Sequence, residues 1–109
     1  MINLRIVDVI SSEFAVSPED GDIIFNIISK RINEKESIVL DFDGIDIMTT
    51  AFLNNAIGKL YNIYTKEQLN KYISMNNISK ADLNLVKKVI KRAKIKFTDE
   101  EMENLGEEL

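Results

Sequence analysis

The chain has 109 residues, with 14 Lys or Arg against 18 Asp or Glu for a formal net charge of −4, and it contains neither cysteine nor histidine. Those two absences exclude disulfides, thiolate zinc sites, thiol nucleophiles and Ser/His or Cys/His pairs, so any catalysis would have to rest on carboxylates, hydroxyls and lysines. With 45% hydrophobic and 29% charged residues the chain is expected to form one globular core. Its longest apolar runs, such as Ile23 to Phe25, fall far short of the ~20 residues of a membrane span. Met1 opens no basic and apolar export signal, so a cytoplasmic location without membrane attachment is expected.

In chain order, Leu4 to Val9 is rich in aliphatic and β-branched residues that alternate in the manner of a half-buried strand. Ser17, Pro18 and Asp20 read as an N-cap, a first-turn proline and an acidic residue near the positive helix end. Ile24, Ile27, Ile28 and Ile32 follow at helical spacing, which predicts a helix over 18–33. Gly21 sits awkwardly near its start. Ser37 to Phe42 is a short apolar run closed by Asp43 and Gly44, the pattern of a central strand buried on both faces and ended by a turn.

After a loop at Asp46 to Met48, the residues Leu53, Ala56, Ile57, Leu60 and Tyr64 form one helical stripe, capped by Thr49 or Thr50. Gly58 within that stripe suggests close packing or simple tolerance. Thr65 with Gln68 matches a capping box, and Ser79 with Asp82 is its shorter variant, so two further helices begin there. Lys71 to Met75 between them reads as a third strand. Leu83, Val86, Val89, Ile90 and Ala93 line one side of a long helix, and Thr98 with Glu101 repeats the capping pattern before Met102 and Leu105. Alternating strands and helices imply an α/β fold: a small, mainly parallel sheet with packed helices and right-handed crossovers. The expected organisation is one domain over 1–97 and an acidic C-terminal helix or tail over 98–109.

Two groups of residues invite a chemical reading. The string Val39-Leu40-Asp41-Phe42-Asp43-Gly44 resembles the nucleophile motif of haloacid-dehalogenase-type phosphatases, in which the first aspartate attacks phosphorus and the second is acid and base. Ile45 replaces the usual small hydroxyl residue, and little chain remains for the other parts of such a site. A magnesium-dependent phosphohydrolase is therefore the weakest alternative. Asp41, Asp43 and Asp46 together could gather a hard cation, but aspartates at a strand end more often build the turn, and no metal site or cofactor is assigned. The second group is Thr49-Thr50 at a helix start, where one hydroxyl caps the helix and an added phosphate would meet free amides and the positive dipole end.

The segment Ile38-Val39-Leu40-Asp41-Phe42-Asp43-Gly44-Ile45, followed by Thr50-Ala51-Phe52-Leu53-Asn54-Asn55-Ala56-Ile57-Gly58, resembles the hallmark of the STAS-like domain family of unknown function. Asn77-Ile78-Ser79-Lys80-Ala81-Asp82, leading into Leu85, Val89 and Ala93, is similar to that family's final strand and helix, so the resemblance runs from about Leu4 to Lys96. It implies a fold related to the STAS domains of anti-sigma-factor antagonists, which bind a histidine-kinase-like ATPase and are switched off by phosphorylation at this helix start. Those antagonists carry an Asp-Ser-Ser-Gly segment. Aligned on Phe52-Leu53 its second serine falls on Ala51, and one residue away it falls on Thr50, so the resemblance supports the binding surface more than the switch.

The resulting expectation is a non-enzymatic regulatory module that meets a protein partner through Asp43, Asp46, Thr49, Thr50, Phe52 and Asn54, with Thr49 or Thr50 as helix cap or phosphoacceptor. Residues Lys80 to Lys96 carry seven basic side chains and one acidic, whereas Thr98 to Leu109 carry six acidic and none basic. That asymmetry supports an alternative, a nucleic-acid-binding accessory protein using Lys87, Lys88, Lys91 and Arg92. The overall negative charge and the adjacent acidic end argue against it.

Overall fold

The computed structural model describes residues 2–93. At its centre is strand β3 (Ile38–Asp41), flanked by β1 (Ile2–Arg5) and β5 (Ile73–Asn76), all three parallel, with Leu4, Leu40 and Met75 in register. Ile38 and Leu40 are wholly buried while Val39 and Asp41 are half-buried, so one face of the central strand carries the core and the other is only partly covered. The expectation of full burial on both faces is corrected accordingly.

The first strand is shorter than its composition suggests. β1 ends at Arg5, and Ile6–Ile10 form a short helix, α1, closed by Ser11 in the left-handed region at φ 56°. The last register pair is Arg5 with Asp41, beyond which β3 bends away. With no neighbouring backbone to pair with, the aliphatic run satisfies its own amides by coiling.

Helix α2 (Pro18–Asn33) matches the expected range. The Ser17 side chain accepts from the Asp20 amide at 3.1 Å, and Gly21, Ile24, Ile28 and Ile32 face inward. Gly21 is there because α2 crosses the next helix very closely. A side-chain carbon at that position would collide with the Phe52 carbonyl oxygen and lie 2.9 Å from Asn55 Cβ and 3.1 Å from Ala56 N.

That next helix, α3 (Thr50–Ala56), stops earlier than the apolar stripe predicts. After Ile57 the chain tightens into a 3-10 turn over Gly58–Asn62, with Leu60 N donating to Ile57 O at 3.0 Å. A β-branched residue followed by glycine is a weak place to continue an α-helix. The inward side chains still point where the stripe requires: Leu53, Ala56, Ile57 and Leu60 are core, and the Tyr64 hydroxyl reaches Asn33 Oδ1 at 2.7 Å. Gly58 is under no comparable constraint, since an added carbon there would make only ordinary contacts, the nearest with Val89 Cγ1 at 3.5 Å.

Helix α4 (Lys66–Tyr72) opens on the expected capping box, with Gln68 N donating to Thr65 Oγ1 at 3.1 Å and Thr65 N to Gln68 Oε1 at 2.9 Å. Lys71 and Tyr72 belong to that helix, so the third strand begins at Ile73 rather than Lys71. Helix α5 covers residues 80–93, with Ser79 as its cap, and buries Val86 and Val89. The expected short helix within 98–109 lies outside the described residues. Among the described residues no helix is long and apolar enough to cross a membrane.

Two further strands were not expected. Phe14–Ala15 (β2) and Ile47–Met48 (β4) pair in parallel as a separate two-stranded ribbon. The Asp46–Met48 loop is thus partly strand. Two residues per strand leave no alternation long enough to recognise from sequence.

Candidate interaction surface at the start of α3

The bend after β3 is built by its own aspartates. Asp41 Oδ1 accepts from the Asp43 amide at 3.0 Å and from Asn77 Nδ2 at 2.9 Å. Ile45 N donates to Phe42 O at 3.1 Å, with Gly44 at φ 86° in the third position, as a type II turn requires. Arg5 spans the bend, reaching Asp8 Oδ1 at 2.7 Å and Asp43 Oδ2 at 3.4 Å. The Asn77 amide, and after it the Asp43 backbone N–H, hold the Asp41 carboxyl below the ordinary carboxylate range. Asp8, and then Asp43, push the Arg5 guanidinium above its ordinary value. Two of the three aspartates considered as cation ligands therefore have structural partners. Among the described residues no three His, Cys, Asp or Glu side chains form a metal-binding group.

Four residues on, the chain passes through β4 into α3. Thr49 is the cap: its Oγ1 accepts from Phe52 N at 3.3 Å and donates to Val16 O at 3.0 Å. Both capacities of that hydroxyl are used, and the second bond fastens the start of α3 to the end of β2. Thr50 is the first helical residue and is half-exposed. The structure thus divides the threonine pair into a committed cap and a more accessible neighbour.

The expected partner-contacting residues do not all share this surface. Asp43 and Asp46 are exposed, Thr49 and Thr50 are partly so, and Asn54 is exposed further along α3. Phe52 is 1% exposed and sits in the core, so its assignment to the contact surface is wrong. It is the first buried residue of α3, its backbone carbonyl lies under Gly21, and its hydrophobicity serves folding.

Sequence reasoning missed the apolar part of the surface. Along the ribbon Ala15 and Met48 turn inward, while Phe14, Val16 and Ile47 turn out with 42%, 41% and 49% exposure. Phe14 is directly opposite Ile47, and Val16 is tied to Thr49, so these side chains share one face that runs up to Thr50. The alternation in Phe14-Ala15-Val16 was the available signal, but its partner strand is 33 residues away.

On α5 the side chains of Lys80, Lys87, Lys88, Lys91 and Arg92 are exposed. The last four are spaced to occupy one side of the helix. The acidic residues that follow are outside the described range.

Comparison with known proteins returned one finding. The model of a family described as a STAS-like domain of unknown function matches residues 20–83, a narrower span than the sequence resemblance suggested. No curated protein and no solved structure matches the chain.

Proposed function

The chain belongs to the STAS-like domain family of unknown function, and from that premise we propose that it is a non-catalytic regulatory module that binds a protein partner through the outward face of the β2–β4 ribbon and the start of α3. The observation that supports this reading is the placement of Phe14, Val16 and Ile47 on one exposed face beside Thr50. Scattered exposed apolar residues are ordinary, but a paired set flanking a helix start has the make-up of an interface: an apolar centre with a polar rim of Asp46, Thr49 and Thr50. The partner class is a histidine-kinase-like ATPase, as the family resemblance implies. Thr50 rather than Thr49 is the position at which a phosphate would act as a switch, because a phosphate on Thr49 would remove the hydroxyl hydrogen that the cap donates to Val16 O.

The test is affinity purification of the full chain from its native cells, beside a Phe14→Ser/Ile47→Ser double variant and a Thr50→Glu variant. The wild type should retain an ATPase that both variants lose while their unfolding midpoints stay unchanged. Retention by all three proteins would refute the assignment of the surface.

The exposed lysine face of α5 favours a second reading, an accessory protein that binds nucleic-acid phosphates. Mobility-shift titrations at two salt concentrations decide it, since phosphate binding must weaken steeply as salt rises.

A further inference from the structure

Beyond Thr49 and Thr50, the other end of α3 borders a cavity of about 360 Å³, lined by Asn54, Asn55, Gly58, Lys59, Asn62, Val89, Arg92 and Ala93. The volume lies within the range of sites that take small molecules and near its lower limit. Three elements meet around it: the C-terminal turn of α3, the 3-10 turn and α5.

The lining has a definite chemistry. No carboxylate is among its described residues, whereas three carboxamides and two cations are. The cations differ in what they can do. Lys59 Nζ is 2.6 Å from Asp22 Oδ1 and 4.7 Å from the centre of the Phe25 ring, so its charge is already balanced and its position held. None of the ion pairs among the described residues includes Arg92. Asn55 is partly committed, since its Nδ2 donates to Pro18 O at 3.2 Å and turns the amide in a fixed direction. Val89 and Gly58 supply an apolar floor.

We propose that this cavity is a binding site for a small polar organic anion, a carboxylate or a phosphate monoester, whose charged group is held by the Arg92 guanidinium and whose hydroxyl or amide groups are held by Asn54, Asn55 and Asn62. A guanidinium presents paired donors that match the two oxygens of either anion, which a single ammonium does not. Carboxamides carry a donor and an acceptor side by side, so they select a ligand with polar substituents over a bare inorganic ion. Among the described residues the balanced Lys59–Asp22 pair leaves one cation to be neutralised, so a single charged group is the best match. This site lies apart from the Phe14–Ile47 face and does not depend on the protein-binding role.

The test is a titration of the full 109-residue chain, labelled with nitrogen-15, followed through the side-chain amide resonances of Asn54, Asn55 and Asn62. The probes are malate and citrate for carboxylates, glucose 6-phosphate for phosphate monoesters, inorganic phosphate as the bare anion, and glucose as the uncharged control. At least one organic anion should give saturable shifts at these three residues at millimolar concentration or below, with glucose giving none. The carboxylate and phosphate arms identify the source of the charge. An Arg92→Gln variant, folded as judged by an unchanged unfolding midpoint, should bind that probe about tenfold more weakly or worse, the loss expected for one charged hydrogen bond. Asn62→Ala should weaken it further without altering the response to inorganic phosphate. Three results overturn the proposal: no saturable shift with any anion, equal binding by Arg92→Gln, or shifts produced equally by glucose.

Discussion

The crossing of α2 over α3 sets where the start of α3, and with it the proposed interface, stands relative to the ribbon, and Gly21→Ala tests it directly. Alanine in a helix interior is favoured over glycine by about 1 kcal/mol, so propensity alone predicts stabilisation. The structure predicts the reverse. The new carbon would collide with the Phe52 carbonyl oxygen and crowd Asn55 Cβ at 2.9 Å and Ala56 N at 3.1 Å. Two of those three atoms are backbone, so no side-chain rotation relieves them and the helices must move apart. Overpacking of this kind costs about 1–3 kcal/mol, and contact with two backbone atoms places it toward the upper part of that range. After the propensity gain is subtracted, the net loss is about 1–2 kcal/mol, or a fall of roughly 5–15 °C in the unfolding midpoint of a domain this size. Urea denaturation with calorimetry measures it, with Gly58→Ala as the matched control. At Gly58 the added carbon makes only ordinary contacts, with Val89 Cγ1 at 3.5 Å and with Asn54 Oδ1 and Leu53 O at 3.9 Å. That variant should be neutral, or more stable by up to about 1 kcal/mol. A Gly21→Ala protein as stable as the wild type, or a Gly58→Ala protein destabilised as much, would refute the reasoning.

Other substitutions separate the roles assigned along the surface. Thr49→Val removes the cap and the bond to Val16 and should cost about 0.5–2 kcal/mol, whereas Thr50→Val should stay within about 0.5 kcal/mol, both read by urea denaturation. Phe52→Ala empties a fully buried site and should cost about 3–5 kcal/mol, so a loss of partner in that variant would report unfolding rather than contact. The Asp41 carboxyl titrates below its ordinary value of 3.8 in the folded protein, so its contribution to stability is present above that pH. It is lost as pH falls through the lower folded value. Asn77→Gly removes the donating amide while accepting the positive φ of 53° at that position, and should flatten the loss of stability between neutral and strongly acid pH. An unchanged acid limb in thermal melts would contradict the Asn77–Asp41 assignment.

The features read correctly from residue types have their partners close by in the chain. The α2 range follows from Ser17, Pro18 and the isoleucine spacing, and the Thr65–Gln68 box closes within a single turn. The Asp43-Gly44 turn needs only a residue that tolerates positive φ. The candidate site was half legible for the same reason: Asp43, Asp46 and Thr49-Thr50 mark a bend and a helix start by their chemistry alone. Phe52 was misassigned because an aromatic residue near a helix start looks the same whether it faces solvent or core. Burial is decided by what packs against the helix, and here α2 crosses it closely at Gly21.

By itself, the sequence determined the starts of α2, α3, α4 and α5, the turn after β3, the inward stripes of α2 and α3, and the family to which the chain belongs. Only the tertiary structure decided that the first strand stops at Arg5, that Phe14–Ala15 finds Ile47–Met48, and that Phe14, Val16 and Ile47 are left facing solvent beside Thr50. Caps and tight turns are satisfied by atoms within about four residues, so they are written into the local order of side chains. Strand length and exposure depend on whether distant backbone arrives to pair or to cover, and that is settled only when the whole chain has packed.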